Sequence, residues 1–392
     1  MPRDAVIVGA VRTPIGKRNG ALRGIHSVDL SAHVLRALAE RTGLDPGRVD
    51  DVVWGCVSQV GEQTYNVGRS AVLAAGWPER VPATTIDRQC GSSQQAAEFA
   101  AAGVIAGRYD IAIAGGVESM SRIPLGSSAG VAGQPFGATV LDRYQVEMFN
   151  QGLGAEQIAD KWEIDRGRAD DIGLESHRRA AAAIDDGRFT AQIAPIKVPV
   201  EVPAEDGATR LFSTDEGPRR GGTRESVASL RPAFRSDGVH TAANSSQISD
   251  GAAALLITTS EIAPTLGLRP LARFHTSVVL GVDPVTMLTG PIPATAAALE
   301  RSGLSLGDIG AFEVNEAFAS VLGAWQDETG ADPATVNPNG GAIALGHPLG
   351  ATGARLMTSL VYHMVDHEVD YGLQTMCEGG GMANATILER IR

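Results

Sequence analysis

Part of this chain occurs twice, and that duplication limits its folds more than any other feature. Glu40-Arg41-Thr42-Gly43-Leu44 reappears as Glu300-Arg301-Ser302-Gly303-Leu304. With the same shift and no gap, Gly47 falls on Gly307, Val49 on Ile309, and the apolar run 49–55 on 309–315. The residues around Cys90 fall on His347-Pro348-Leu349-Gly350, and Asp110-Ile111 on Asp370-Tyr371. Several segments in one register argue for duplicated halves, since a solenoid would need many repeats of roughly 20–50 residues. Within the halves, β-like runs at 5–11, 49–57 and 110–116 alternate with helix-spaced runs at 26–43 and 92–107. That alternation predicts an α/β architecture of βαβ-type units. Two such halves packed together place a site at their junction, near the carboxyl ends of strands.

Residues 121–245 have no counterpart in the second half. They hold a Gly/Ser/Pro-rich stretch at 123–137, one helical segment near 155–187 and a charged loop near 204–225, so an inserted, loop-rich subdomain is expected. A net charge of −12 argues against a partner such as nucleic acid or an anionic membrane. No apolar run approaches the ~18 residues of a membrane span. The opening residues read as a first strand and not as a signal peptide, and Glu389-Arg390-Ile391-Arg392 is neither a lipidation nor a peroxisomal signal. Cys56, Cys90 and Cys377 cannot frame a chain of this length with disulfides. A soluble, cytoplasmic protein is expected.

Four stretches carry reactive side chains. Asp87-Arg88-Gln89-Cys90-Gly91-Ser92-Ser93 leads into a helical run, so Cys90 sits at a predicted helix N-terminus, where free N–H groups favour a thiolate. Most free cysteines are buried structural residues. Apolar neighbours give Cys56 that reading, whereas polar flanks make Cys90 a candidate nucleophile. His347 lies between glycines in Asn337–Gly350, a stretch that cannot be regular throughout, and suits an acid/base or hydrogen-bonding group. Cys377 stands near a predicted strand end, followed by Gly379-Gly380-Gly381, whose N–H groups can face an oxyanion. Val314-Asn315-Glu316-Ala317-Phe318 also follows a strand, and alone its Asn and Glu read as ordinary helix caps.

Other patterns fail. Gly9 and Gly16-Lys17 have the wrong spacing for a phosphate loop, with Arg18 where a hydroxyl is needed, and no strand is followed by GxGxxG. Gly126-Ser127-Ser128-Ala129-Gly130 matches GxSxG without the strand and helix of a nucleophile elbow. His363 and His367 share a helix face but lack a third ligand, and no Cys-x-x-Cys occurs, so no metal is predicted.

Taken together, the four stretches resemble the thiolases, the family of acetyl-CoA acetyltransferases and 3-ketoacyl-CoA thiolases. Cys90-Gly91-Ser92, Asn315 to Phe318, Gly346-His347-Pro348 and Cys377-Glu378-Gly379 match its motifs in order. Gly115 to Ser121 and Leu230 to Phe234 fit as well, and the likeness runs from Arg12-Thr13-Pro14 to the closing strand. The resemblance implies the thiolase fold, with two duplicated βαβ-type halves in five α-β-α-β-α layers and an inserted loop domain. The N-terminal half would span 1–120 and be completed by about 246–270, with the loop domain at 121–245 and the C-terminal half at 271–392. A homodimer or homotetramer is implied.

The implied activity is CoA-dependent cleavage of 3-ketoacyl-CoA, reversible as a Claisen condensation. In that scheme Cys90 carries the acyl group and Cys377 moves the α-proton. One oxyanion site combines His347 with a water on Asn315, and the other combines the N–H groups of Cys90 and Gly379. Matching positions assign Arg219 to the CoA phosphates, with adjacent Arg220 leaving a one-residue ambiguity, and Ser246 to pantetheine, beside Phe234 and Phe318. Acyl-CoA and CoA are substrates, and no other cofactor is implied. Asn150-Gln151 stands where many biosynthetic members have His-Met, and Gln247 where Gly is common. All three map to the acyl pocket and point away from acetoacetyl-CoA, toward degradative thiolases of actinobacterial lipid or sterol breakdown. A short-chain acetoacetyl-CoA thiolase and a non-catalytic acyl-CoA- or lipid-binding relative are the alternatives, and the second would be expected to lose a motif. A ketoacyl-ACP synthase would lack the second cysteine.

Overall fold

The computed structural model describes residues 3–131, 133–199 and 208–392. Met1, Pro2, Ala132 of the Gly-rich stretch, and 204–207 of the expected charged loop lie outside the described residues. The apolar runs form strands whose two faces are both buried, as near-continuous hydrophobicity requires. Along Ile111–Ser119, for example, Ile111, Ile113 and Val117 enter one core while Ala112 and Ala114 enter another.

In spatial order the first half contributes Ala83–Ile86, Asp51–Gly55, Ile111–Ser119, Ser249–Thr258 and Val6–Arg12. Ala272–Gly281, Met382–Arg390, Tyr371–Glu378 and Ala311–Val314 continue the sheet through the second half. The halves join edge to edge where Val6 and Ile7 pair with Arg273 and Ala272. Duplication extends to the pairing register. Asp51 lies opposite Ala112 in one parallel pair, and Ala311 opposite Gly372 in the other.

Three helical layers complete the five-layer arrangement that the resemblance implies. Ser27–Thr42 and Val67–Ala74 cover the outer face of the first half, and Pro291–Ser302 and Ala319–Thr329 that of the second. Between the halves lie Ser92–Ile105 and Leu349–Asp366, whose Ala96, Ala97, Ala100, Ala354 and Met357 share one core with strands of both halves. Small side chains let two helices fit side by side in that layer. The repeated Glu-Arg-Thr/Ser-Gly-Leu is a helix C-terminus in both halves. Gly43 and Gly303 stop their helices at left-handed φ values of 65° and 73°, a conformation that favours glycine. A short turn, Pro46–Arg48 or Leu306–Asp308, then leads into the next strand.

The expected single helix near 155–187 is two, Gln151–Lys161 and Arg166–Asp185. Glu163 turns left-handed at φ 52°, and Asp165 caps the second helix by accepting from Arg168 N–H. Arg12 fastens this region to the first strand. Its guanidinium grips Asp215 in a bidentate pair at 2.7 and 2.9 Å and donates to Gln192 at 2.8 Å, with all three side chains buried. Asp215→Ala would strand a buried guanidinium and should destabilise the fold by about 3–5 kcal/mol. Urea unfolding would measure it, and a loss below ~1 kcal/mol would refute the anchoring role. No helix among the described residues is long and apolar enough to cross a membrane.

Candidate active site

Each half delivers one reactive residue to the head of a central helix. Cys90 immediately precedes the N-cap Gly91 of Ser92–Ile105, and His347 immediately precedes the N-cap Pro348 of Leu349–Asp366. Gln89, with φ 48°, turns the chain toward Cys90. The Ser92 hydroxyl locks that turn, donating to the Gln89 carbonyl at 2.6 Å and accepting from Arg88 N–H at 2.9 Å.

The Cys90 thiol corrects one expectation. A helix N-terminus was expected to favour the thiolate, but burial first, and the Glu378 carboxylate second, push the thiol up to about 12. Hydrogen bonds from the N–H groups of Gly379 and Cys90 itself oppose the rise only in part. Desolvation of the charged form outweighs the partial charges of a helix end. The resting residue is therefore a thiol and needs a base.

His347 can serve as one, being neutral and of one tautomer. Burial, helped by the Arg355 guanidinium, pulls its pKa down to about 3. The Thr352 hydroxyl donates to the Pro348 carbonyl at 2.9 Å and lies 2.7 Å from His347 Nδ1. With its only proton committed, that oxygen accepts from Nδ1–H, which leaves the lone pair on Nε2. Asn315 Nδ2 stands 3.4 Å from Nε2. Asn315 Oδ1 is buried without a protein partner among the described residues, an acceptor suited to a water.

Asn315 and Glu316 do not cap a following helix, because Ala319–Thr329 starts at Phe318 with no side-chain cap. Instead the Glu316 carboxylate accepts from Ser176 Oγ at 2.6 Å, Asn337 Nδ2 at 2.9 Å and Ile343 N–H at 3.2 Å. Asn337 also bonds both backbone groups of Val314, at 2.8 and 2.9 Å, and so fixes the strand end that carries Asn315. Sequence reading gave Asn337 and Thr352 no role. Their partners are distant or turn-dependent and leave no local signature.

Cys377 and Glu378 are the last residues of the strand Tyr371–Glu378, and the turn to Met382 follows. Cys377 is fully buried beside Ala317, Phe318 and Ile343. Burial raises its thiol well above the ordinary value, and charge on Cys90 raises it further, so the two sulfurs are close. Cys90 packs with Leu349 and Met376, the near neighbours of His347 and Cys377. Direct contacts thus join Cys90 with Gly379 and Cys377 on one side, and Asn315 with His347 on the other. Cys56 lies in the core of the first half, as its apolar neighbours suggested.

Arg219, Ser246 and Gln247 line one cavity of about 540 Å³ with Lys17 and Arg18. Arg220 is held by Asp185 through two 2.7 Å bonds, and of the adjacent pair it is Arg219 that lines this groove. Lys17 and Arg18, rejected as a phosphate loop, supply it with further positive charge. Phe234 and Phe318 stack edge to face at 5.5 Å. The polar residues expected in the acyl pocket are engaged with backbone. Asn150 Oδ1 caps the helix Gln151–Lys161 by accepting from Gly152 and Leu153 N–H. Gln247 Nε2 donates to the carbonyls of Gly217, Ile343 and Ala344. Gln151 is the half-buried first residue of its helix. Phe149, in contact with Phe136 and Tyr144, packs against the cluster that contains Cys377.

The family model of the thiolase N-terminal domain matches residues 5–261, and that of the thiolase C-terminal domain matches residues 268–390. The chain belongs to the thiolase family. A steroid 3-ketoacyl-CoA thiolase of Mycobacterium tuberculosis is 50% identical to this thiolase, covering 99% of this chain and 94% of that one. A 3-ketoacyl-CoA thiolase of Bacillus subtilis is 42% identical, covering 99% of each. The crystal structure of the Bacillus anthracis acetyl-CoA acetyltransferase superposes with a TM-score of 0.91 at 38% identity, covering 99% of each chain.

Proposed function

We propose that this thiolase is an acyltransferase that cleaves 3-ketoacyl-CoA with a second CoA, passing the acyl group through Cys90. The observation that carries this reading is the pair of adjacent buried thiols, Cys90 and Cys377, beside a neutral imidazole. In the first step the Cys90 proton passes to His347 Nε2 while sulfur bonds to the 3-keto carbon. The oxyanion so formed and the imidazolium then offset each other's charge, which lowers the cost of charge in a dry site. The Cys90–Gly379 N–H pair forms one oxyanion site, and His347 with a water on Asn315 forms the other. When the C2–C3 bond breaks, its electron pair enters the enolate of acetyl-CoA, and the Cys377 thiol supplies the proton. The thiol of the second CoA then gives its proton to the Cys377 thiolate and its sulfur attacks the thioester carbonyl, and Cys90 leaves, regains its proton from His347 and releases the shortened acyl-CoA. The CoA phosphates would lie along Lys17, Arg18 and Arg219, where local cations suit an anion on an acidic protein.

The acyl group is bulky or of medium length. Asn150 and Gln247 are largely engaged with backbone, and what packs beside the Cys377 cluster is apolar, Phe149 and Trp162 with Ile172, Val239 and Ile292. The mycobacterial relative named as a steroid thiolase agrees with that choice. Four further well-fitted CH₂ groups at ~0.8 kcal/mol each would raise kcat/KM by roughly a hundred-fold over acetoacetyl-CoA. Measuring kcat/KM on acetoacetyl-, medium-chain and cyclic 3-ketoacyl-CoA decides the matter. Highest efficiency on acetoacetyl-CoA would assign the protein to the short-chain acetyltransferases.

A further inference from the structure

The duplication gives the two central helices matching carboxylates, and only one has partners. Glu118 stands on Ile111–Ser119 where Glu378 stands on Tyr371–Glu378, at the shift that relates the halves. Glu118 accepts from Val57, Ser58 and Gly350 N–H and from Gln63 Nε2, and so ties down the head of the helix that follows His347. Glu378 faces the head of the other central helix, which follows Cys90. It is equally buried, yet among the described residues neither of its oxygens has a hydrogen-bond partner. Its carboxyl fills the space beside Gly91. A Cβ on that residue would lie 1.9 Å from Glu378 Oε1, so the carboxyl rests directly against the backbone next to the nucleophile. A carboxylate kept for stability would be bonded as Glu118 is, because an unpaired buried charge is costly.

We propose that Glu378 is a positioning residue for Cys90, a buried carboxyl held against the nucleophile loop whose charge state governs how readily Cys90 gives up its proton. The proposal rests on Cys90 being the nucleophile. The charged groups around Glu378 are Arg88 and Asp87 on the nucleophile loop and Glu98 on the helix behind it. Arg88 favours ionisation, Glu98 and Asp87 oppose it, and burial outweighs all three, holding the carboxyl near about 8. Below that pH Glu378 is neutral and does not oppose a Cys90 thiolate. Above it, a like charge does.

Iodoacetamide alkylation, followed at Cys90 by peptide mass mapping from about pH 6.5 to about pH 10, tests this without requiring turnover. Failure would therefore leave the thiolase reading intact. In the wild type the rate should rise with pH, lag for about one pH unit above pH 8, and rise again. Glu378→Gln should remove the lag, alkylating about ten-fold faster at the highest pH and within about two-fold of wild type at the lowest. Glu378→Asp should keep the lag. A wild-type profile with no lag would overturn the proposal even if the variants failed to fold. So would a Glu378→Gln profile parallel to wild type at every pH, as expected of a purely structural carboxyl.

Discussion

Cys90→Ala should abolish ketoacyl-CoA cleavage, lowering kcat by at least about a thousand-fold, the scale on which enzymes lose a nucleophile. The argument is one of position and base. Cys90 alone is turned out at a helix head with a neutral imidazole in the same site and a backbone N–H already on its sulfur. Cys56 lies in an apolar core, with its thiol raised by burial and by Glu118. Brief incubation of wild-type protein with acyl-CoA should leave the acyl group on the peptide containing Cys90. The alanine variant should take up none while unfolding at nearly the wild-type temperature. An adduct on Cys56 or Cys377, or substantial residual turnover in the variant, would contradict the assignment.

Much of this arrangement is legible in the sequence because the duplication has no gap at its informative points. A helix C-terminus, a turn and a strand recur with identical spacing, so Asp51–Gly55 and Ala311–Val314 can be aligned before any coordinates are seen. What could not be read is how tertiary contacts use ordinary residues. Asn150 and Gln247 look like pocket groups by position, yet cap and carbonyl partners engage their side chains. Thr352 looks like one more helical threonine, yet through its i−4 bond it sets the tautomer of His347. The thiol of Cys90 shows the limit of local reasoning. A helix N-terminus is visible in sequence, whereas the desolvation that outweighs it depends on Met120, Leu356 and Met376 arriving from elsewhere. Glu118 and Glu378 occupy equivalent places with opposite surroundings, a difference that sequence spacing cannot show.

Cys377→Ala should separate the two halves of the reaction. Cleavage of 3-ketoacyl-CoA should fall by roughly 10³–10⁴-fold, the upper range for loss of a positioned proton donor. Acylation of Cys90 from a simple acyl-CoA should survive within about ten-fold, since that step breaks no carbon–carbon bond. Exchange of the α-protons of acetyl-CoA with deuterated solvent, followed by NMR, should disappear. Cys377 sits in an apolar cluster with its thiol held well above the ordinary value, so it keeps its proton at neutral pH and meets a newly formed enolate in the acid form. Retained thiolysis in Cys377→Ala would overturn the two-cysteine scheme.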